Sequence, residues 1–150
     1  MFLDFFDGEQ VDWKSGRSIW KTHNKLCYES ELLGTKIIVP KDFITDLASV
    51  PRLPLLWLAT GGRGIRSAVI HDFAYQFGFW LTSKDRIDVS KRLADDVFHE
   101  SLLADPISGA GRIRAWEMWF GVRVGGRGMW SSKKRVSELN PIWSKEWQSP

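Results

Sequence analysis

Along this chain of 150 residues the spacing of apolar positions changes once. Between residues 17 and 46 the apolar and β-branched residues fall in short alternating runs, "SIWKTH", "KLCYES" and "TKIIVP", separated by Asn24 and by the turn "LLGT". A period of two puts successive side chains on opposite faces of a pleated strand, so these runs predict short strands. After Pro54 the period lengthens. In "GIRSAVIHDFAYQFG", 64–78, Ile65, Val69, Phe73 and Phe77 recur every fourth residue with Ile70 and Ala74 beside them, the pattern of a buried helix. "LTSKDRIDVSKRLADDVFHESLLA" follows, with Thr82 as a candidate N-cap, Asp85 three residues on, and Leu93, Val97 and Phe98 directed toward a core. A third helix is predicted over 112–124, "RIRAWEMWFGVRV", after the break "DPISGAG". The elements predict an α+β fold: a small N-terminal antiparallel β region, then three packed α-helices, forming one domain over 1–125. Residues 126–150 read as a basic, Trp-containing C-terminal arm.

Composition adds limits. A chain of this length is about one domain and buries roughly two thirds of its unfolded surface, so a true core is available. The net charge of +3 is unevenly spread: residues 1–12 carry four acids and no Lys or Arg, whereas residues 111–135 hold seven Arg or Lys against Glu117 alone. Such a basic face can meet phosphate, anionic lipid or an acidic protein, although a solvated positive surface is the commoner case. Cys27, the only cysteine, excludes an internal disulfide and a multi-cysteine zinc site and suits a reducing compartment. The N-terminus lacks the basic region of a signal peptide. The apolar run "LPLLWLA" at 53–59 is far short of the ~18 residues that suggest a membrane span, so neither a signal peptide nor a transmembrane segment is expected. Of the nine tryptophans, Trp13, Trp20, Trp57 and Trp80 read as core or rim, whereas Trp116, Trp119, Trp130, Trp143 and Trp147 lie among Arg and Lys. Trp130, Trp143 and Trp147, all in the arm, are therefore expected as interface anchors.

Two strings place polar residues inside apolar surroundings, "FITDLASVPR" at 43–52 and "HDFAY" at 71–75. Burying a polar group is costly unless it has partners, so these residues call for a reason. On a helix His71 and Tyr75 lie on one face, with Asp72 rotated by ~100°. A connection of about seven residues around "WLTS" would make the two helices antiparallel neighbours. Asp95 could then accept from the His71 imidazole and leave its other nitrogen as a base, with Asp96 as the alternative. Asp72 is left for a cation. Asp46 and Ser49 are expected on a loop, stiffened by Pro51 and Pro54, that closes over the start of the helix and bonds to backbone or to His71. The same residues also fit an inert polar seam, since a His–Asp pair on a helix is commonly satisfied by its neighbours. A Ser49–His71–Asp95 triad lacks the Gly-flanked elbow that presents a nucleophilic serine. A metal set with one histidine is barely begun. Nucleic-acid binding has charge in its favour but no fold signature, and is disfavoured.

The strings "VPKDFITDLASVPR", "AVIHDFAY" and "RLADDVFHESL" together resemble, in order and spacing, a domain-of-unknown-function family found mainly in tailed bacteriophages and prophages. The resemblance covers roughly residues 20–124. It carries no activity. It implies a phage setting, with other phage structural proteins as partners and the host cytoplasm during assembly, or the virion, as location. "HDFAY" also resembles the His-Asp-x-x-Tyr helix of secreted phospholipases A2, and "TDLASVP" faintly resembles their calcium loop. That second resemblance implies His71 as the base that activates water, Asp95 as its orienting partner and Tyr75 as a support. It also implies Asp72 as a calcium carboxylate aided by Asp46 or loop carbonyls, calcium as cofactor and host membrane lipid as substrate. It departs from the phospholipases in lacking their flanking cysteines and loop glycines. Three readings follow: a phage accessory or virion-associated protein with a His–Asp site of undecided activity, a calcium-dependent phospholipase A2-like ester hydrolase, or a catalytically inert tail or capsid component.

Overall fold

The computed structural model describes residues 1–12, 18–45, 64–105, 111–126 and 130, with side chains left out at 10–12, 18 and 19. Five strands come first: β1 (Gly8–Asp12), β2 (Ser18–Thr22), β3 (Leu26–Ser30), β4 (Thr35–Val39) and β5 (Ile44–Thr45). Helix α1 (Ile65–Phe77) follows, then β6 (Phe79–Leu81), β7 (Arg86–Asp88), α2 (Lys91–Ala104) and α3 (Gly111–Gly125). The strands form two antiparallel sheets, ordered β1-β2-β5 and β3-β4-β6-β7. The architecture is α+β, with strands concentrated in the N-terminal half and three helices after them.

Alternation in β3 and β4 sets which face meets the core. Leu26, Tyr28 and Ser30 are buried on β3, Ile37 and Val39 on β4, and the register places Tyr28 opposite Ile37 and Leu26 opposite Val39. That apolar face packs with α1, which is buried all round from Arg66 to Tyr75. A helix enclosed on every side leaves its polar side chains to find partners within the protein, which singles out Arg66, Ser67, His71 and Asp72, and among the described residues the Ser67 hydroxyl finds none. The largest core side chain, Trp80 of β6, donates its indole N–H to the Ile70 carbonyl of α1 at 3.0 Å. A second apolar cluster, Ala68, Phe98, Leu102, Ala115, Met118 and Val122, joins the three helices.

The start of α2 and the connection before it differ from expectation. Thr82 does not cap a helix: its backbone N–H and hydroxyl both bond the Asp85 carbonyl at 2.7 Å, and its oxygen accepts from the Asp85 N–H at 3.1 Å. These bonds close the turn of a β6–β7 hairpin, which extends the larger sheet through Ile38 and Leu81. The connection between α1 and α2 is therefore a hairpin rather than a short loop. Chain reversal begins at Gly78, whose positive φ of 74° ends α1 while its N–H bonds the Ala74 carbonyl. Ser90 is the true cap of α2, accepting from the Leu93 N–H at 3.2 Å.

Despite the hairpin, α1 and α2 lie side by side and antiparallel. Ascending positions on α1 meet descending positions on α2: Gly64 approaches Leu102, His71 meets Phe98 and Asp95, and Tyr75 meets Asp95 and Lys91.

Candidate functional site

His71 and Tyr75, one turn apart on α1, converge on the Asp95 carboxylate of α2. The His71 Nε2 lies 3.0 Å from Asp95 Oδ1, and the Tyr75 hydroxyl donates to the same oxygen at 2.7 Å. Lys91, one turn before Asp95 on α2, donates from Nζ to Oδ2 at 2.7 Å, and Arg123 of α3 approaches that oxygen to 3.7 Å. Lys91 is itself held by the Val122 and Arg123 carbonyls at the end of α3. The carboxylate thus ties three helices together. The alternative, Asp96, points elsewhere: it is partly exposed and pairs with Arg92 and Arg123.

Burial sets the protonation of this group. Enclosure disfavours the imidazolium and lowers the His71 pKa, with the Asp95 hydrogen bond and charge opposing it. Burial alone would raise the Asp95 carboxyl, but the bonds from His71, Lys91 and Tyr75 outweigh it and the net shift is downward. Burial and the bond to Asp95 push the Tyr75 hydroxyl upward, so it stays a proton donor. The pair is accordingly a neutral imidazole against an ionised carboxylate. A carboxylate only accepts, so Nε2 carries the imidazole hydrogen and Nδ1 keeps its lone pair. Nδ1 is buried and has no hydrogen-bond partner among the described residues. The ring is held by Tyr75 at 4.1 Å and Phe98 at 4.7 Å between centroids.

Asp72 points away from this carboxylate. It is fully buried and accepts a hydrogen bond from the Thr45 hydroxyl at the end of β5, while Gln76 on the next turn donates to the Ile44 carbonyl. These bonds dock α1 on the smaller sheet. Among the described residues no group of three or more His, Cys, Asp or Glu side chains is placed to hold a metal ion. Calcium takes six to eight oxygens, so Asp72 by itself does not fit it. Asp46 and Ser49 fall outside the described residues, as do Trp143 and Trp147. Trp130 is half-buried and meets the Tyr75 ring edge-on at 5.0 Å, so it joins the wall of the His–Asp cluster.

Lys91, Arg123 and Thr45 were not singled out from the sequence, and Phe98 was expected only as a core residue. Lys91 was the most legible, since its i, i+4 spacing from Asp95 is that of a helical ion pair. Arg123 and Thr45 reach the site only through tertiary packing.

The profile of the family described as "Protein of unknown function (DUF1353)" matches residues 20–122, more than half of the chain. This chain belongs to the DUF1353 family. The match runs from β2 to Val122 in α3, so the family region of this DUF1353 protein contains His71, Asp72, Tyr75, Asp95 and the Lys91 pair. No curated protein and no solved structure matches the chain.

Proposed function

We propose that this DUF1353 protein is a bacteriophage accessory or virion-associated protein whose His71–Asp95 pair activates water for ester hydrolysis, with host envelope phospholipid as substrate. The observation that carries the chemical part is the Nδ1 of a neutral, oriented imidazole, without a partner among the described residues. Leaving a buried lone pair unpaired costs about 1–3 kcal/mol, and among the described residues Nδ1 shares that state with the Ser67 hydroxyl one turn earlier on α1. A general base requires a free lone pair. In the proposed reaction Nδ1 takes a proton from water as its oxygen bonds the ester carbonyl carbon, and Asp95 stabilises the imidazolium that forms. The proton then passes to the alkoxide as its bond to carbon breaks. Support for lipid comes from the likeness of "HDFAY" to the phospholipase A2 helix, and support for the phage setting from the three sequence motifs taken together.

The second reading, an inert structural component, is favoured by the complete burial of His71, Asp72 and Asp95. Hydrolysis requires a conformation in which water reaches Nδ1. The deciding experiment measures fatty-acid release from phospholipid mixed micelles, with calcium and with chelator. Parent protein is compared with His71→Gln and Asp95→Asn. The hydrolase reading expects release that falls by about 10²–10⁴ when the base is removed. No release by correctly folded parent protein, or release untouched by His71→Gln, leaves the inert reading.

A further inference from the structure

Helix α3 carries two apolar stripes on opposite sides. Ala115, Met118 and Val122 face inward and complete the cluster with α1 and α2. Ile113, Trp116, Phe120 and Val124 form the other stripe and are 78%, 54%, 50% and 60% exposed. At about 100° per residue these four lie within one quadrant, roughly opposite the buried three. Trp116 and Phe120 stack with ring centroids 5.5 Å apart and planes only 13° from parallel, so the stripe presents a continuous aromatic surface. Single exposed apolar residues are ordinary, but a contiguous stripe from Ile113 to Val124 along a helix of fifteen residues marks a contact surface.

We infer that this stripe is a docking face for an anionic lipid surface, on which α3 lies parallel to the membrane plane. The charges beside the stripe select the occupant. Arg112 and Arg114 are exposed near its start and Glu117 is the only acid on the helix, while Arg123 near its end is already held by Asp95, Asp96 and the Arg92 carbonyl. A parallel two-fold pairing of the stripe with itself brings Arg112 and Arg114 of two copies together, which disfavours that arrangement of a second copy of this chain. Phosphate headgroups satisfy Arg112 and Arg114, while indole and phenyl rings settle at the boundary between headgroups and acyl chains. No described helix is long and apolar enough to cross a membrane, so the contact is one of lying on rather than spanning. The inference rests on α3 and not on the His–Asp pair: a protein that binds vesicles without hydrolysing them retains it and loses only the hydrolase.

The test sediments full-length protein with vesicles of phosphatidylcholine and phosphatidylglycerol in equal parts, and with vesicles of phosphatidylcholine alone. Co-sedimentation is expected with the anionic vesicles, weakening as salt is raised. Trp116→Ser combined with Phe120→Ser removes two side chains that the core does not need, so circular dichroism should be unchanged while vesicle affinity falls by at least about tenfold. Arg112→Ser with Arg114→Ser should weaken binding to anionic vesicles. Three results overturn the inference: no binding to anionic vesicles, equal binding to both kinds, or binding untouched by the Trp116 and Phe120 substitutions. If those substitutions instead dissociate a dimer in sedimentation velocity, a second copy is the occupant and the lipid assignment fails.

Discussion

Asp95 concentrates the risk in this molecule, because it is fully buried and four side chains share its two oxygens. Removing one partner of a buried ion pair strands the other, so Asp95→Ala is expected to cost about 3–5 kcal/mol in urea unfolding. The pH dependence follows from the two shifts. Both pKa values are lower in the folded state, His71 from 6.5 and Asp95 from 3.8, so the unfolded chain binds more protons in each case. The His71 contribution is complete above pH 6.5 and is lost as pH falls below it, and the Asp95 contribution is lost below pH 3.8. Urea unfolding followed across pH should therefore show stability declining in two acid steps. His71→Gln should abolish the step nearer neutrality and spare the lower one. A stability that rises on acidification from pH 7 to 5 would contradict the neutral imidazole.

The register between α1 and α2 depends on where α2 begins. Ser90 accepts from the Leu93 N–H and starts the helix one residue before Lys91, which fixes the turns on which Lys91 and Asp95 face α1. Ser90→Ala is expected to cost about 1 kcal/mol, read as a lower urea midpoint. Thr82→Ala should instead loosen the hairpin turn closed on Asp85 and leave α2 protected in amide exchange. Equal effects of the two substitutions on α2 protection would argue against Ser90 as its cap. The hairpin explains why capping chemistry misled the reading of the sequence. Thr82 and Asp85 satisfy each other equally well in a tight turn, and the apolar run "FWL" gives no period long enough to tell strand from helix.

Sheet and helices are joined across the fold by Glu100. From a half-buried position on α2 its carboxylate accepts from the Tyr28 hydroxyl at 2.8 Å, the Ser30 hydroxyl at 2.9 Å and the Glu31 N–H at 2.7 Å. Glu100→Ala leaves the buried Tyr28 and Ser30 hydroxyls without that acceptor and is expected to cost about 2–3 kcal/mol, measured as a lower melting temperature. Combined with Asp95→Ala it should act additively, because Glu100 anchors the β3–β4 end and Asp95 the α3 end with no shared partner. Arg66 makes a comparable clasp, bonding Asp105 after α2 and the Asp4 carbonyl while its guanidinium lies 4.5 Å over the Phe2 ring. Neither clasp was visible beforehand, since seventy-two residues separate Tyr28 from Glu100 and thirty-nine separate Arg66 from Asp105.

What the sequence determined by itself was local or short in range: β2, β3 and β4 from alternation, α1 and α3 from period and breaks, and the grouping of His71, Asp72 and Tyr75 from helical geometry. Even the choice of Asp95 as partner needed only the assumption of antiparallel neighbours. Tertiary structure alone decided that Arg123 joins Lys91 at Asp95 and that Asp72 turns to Thr45 on β5. It also decided that α3 buries one apolar stripe and leaves the other in water. Sequence period reports which residues share a face of an element. Which face meets a neighbour is set by packing among elements distant in sequence, and that is where the buried charges find partners and where, among the described residues, the imidazole keeps a nitrogen without one.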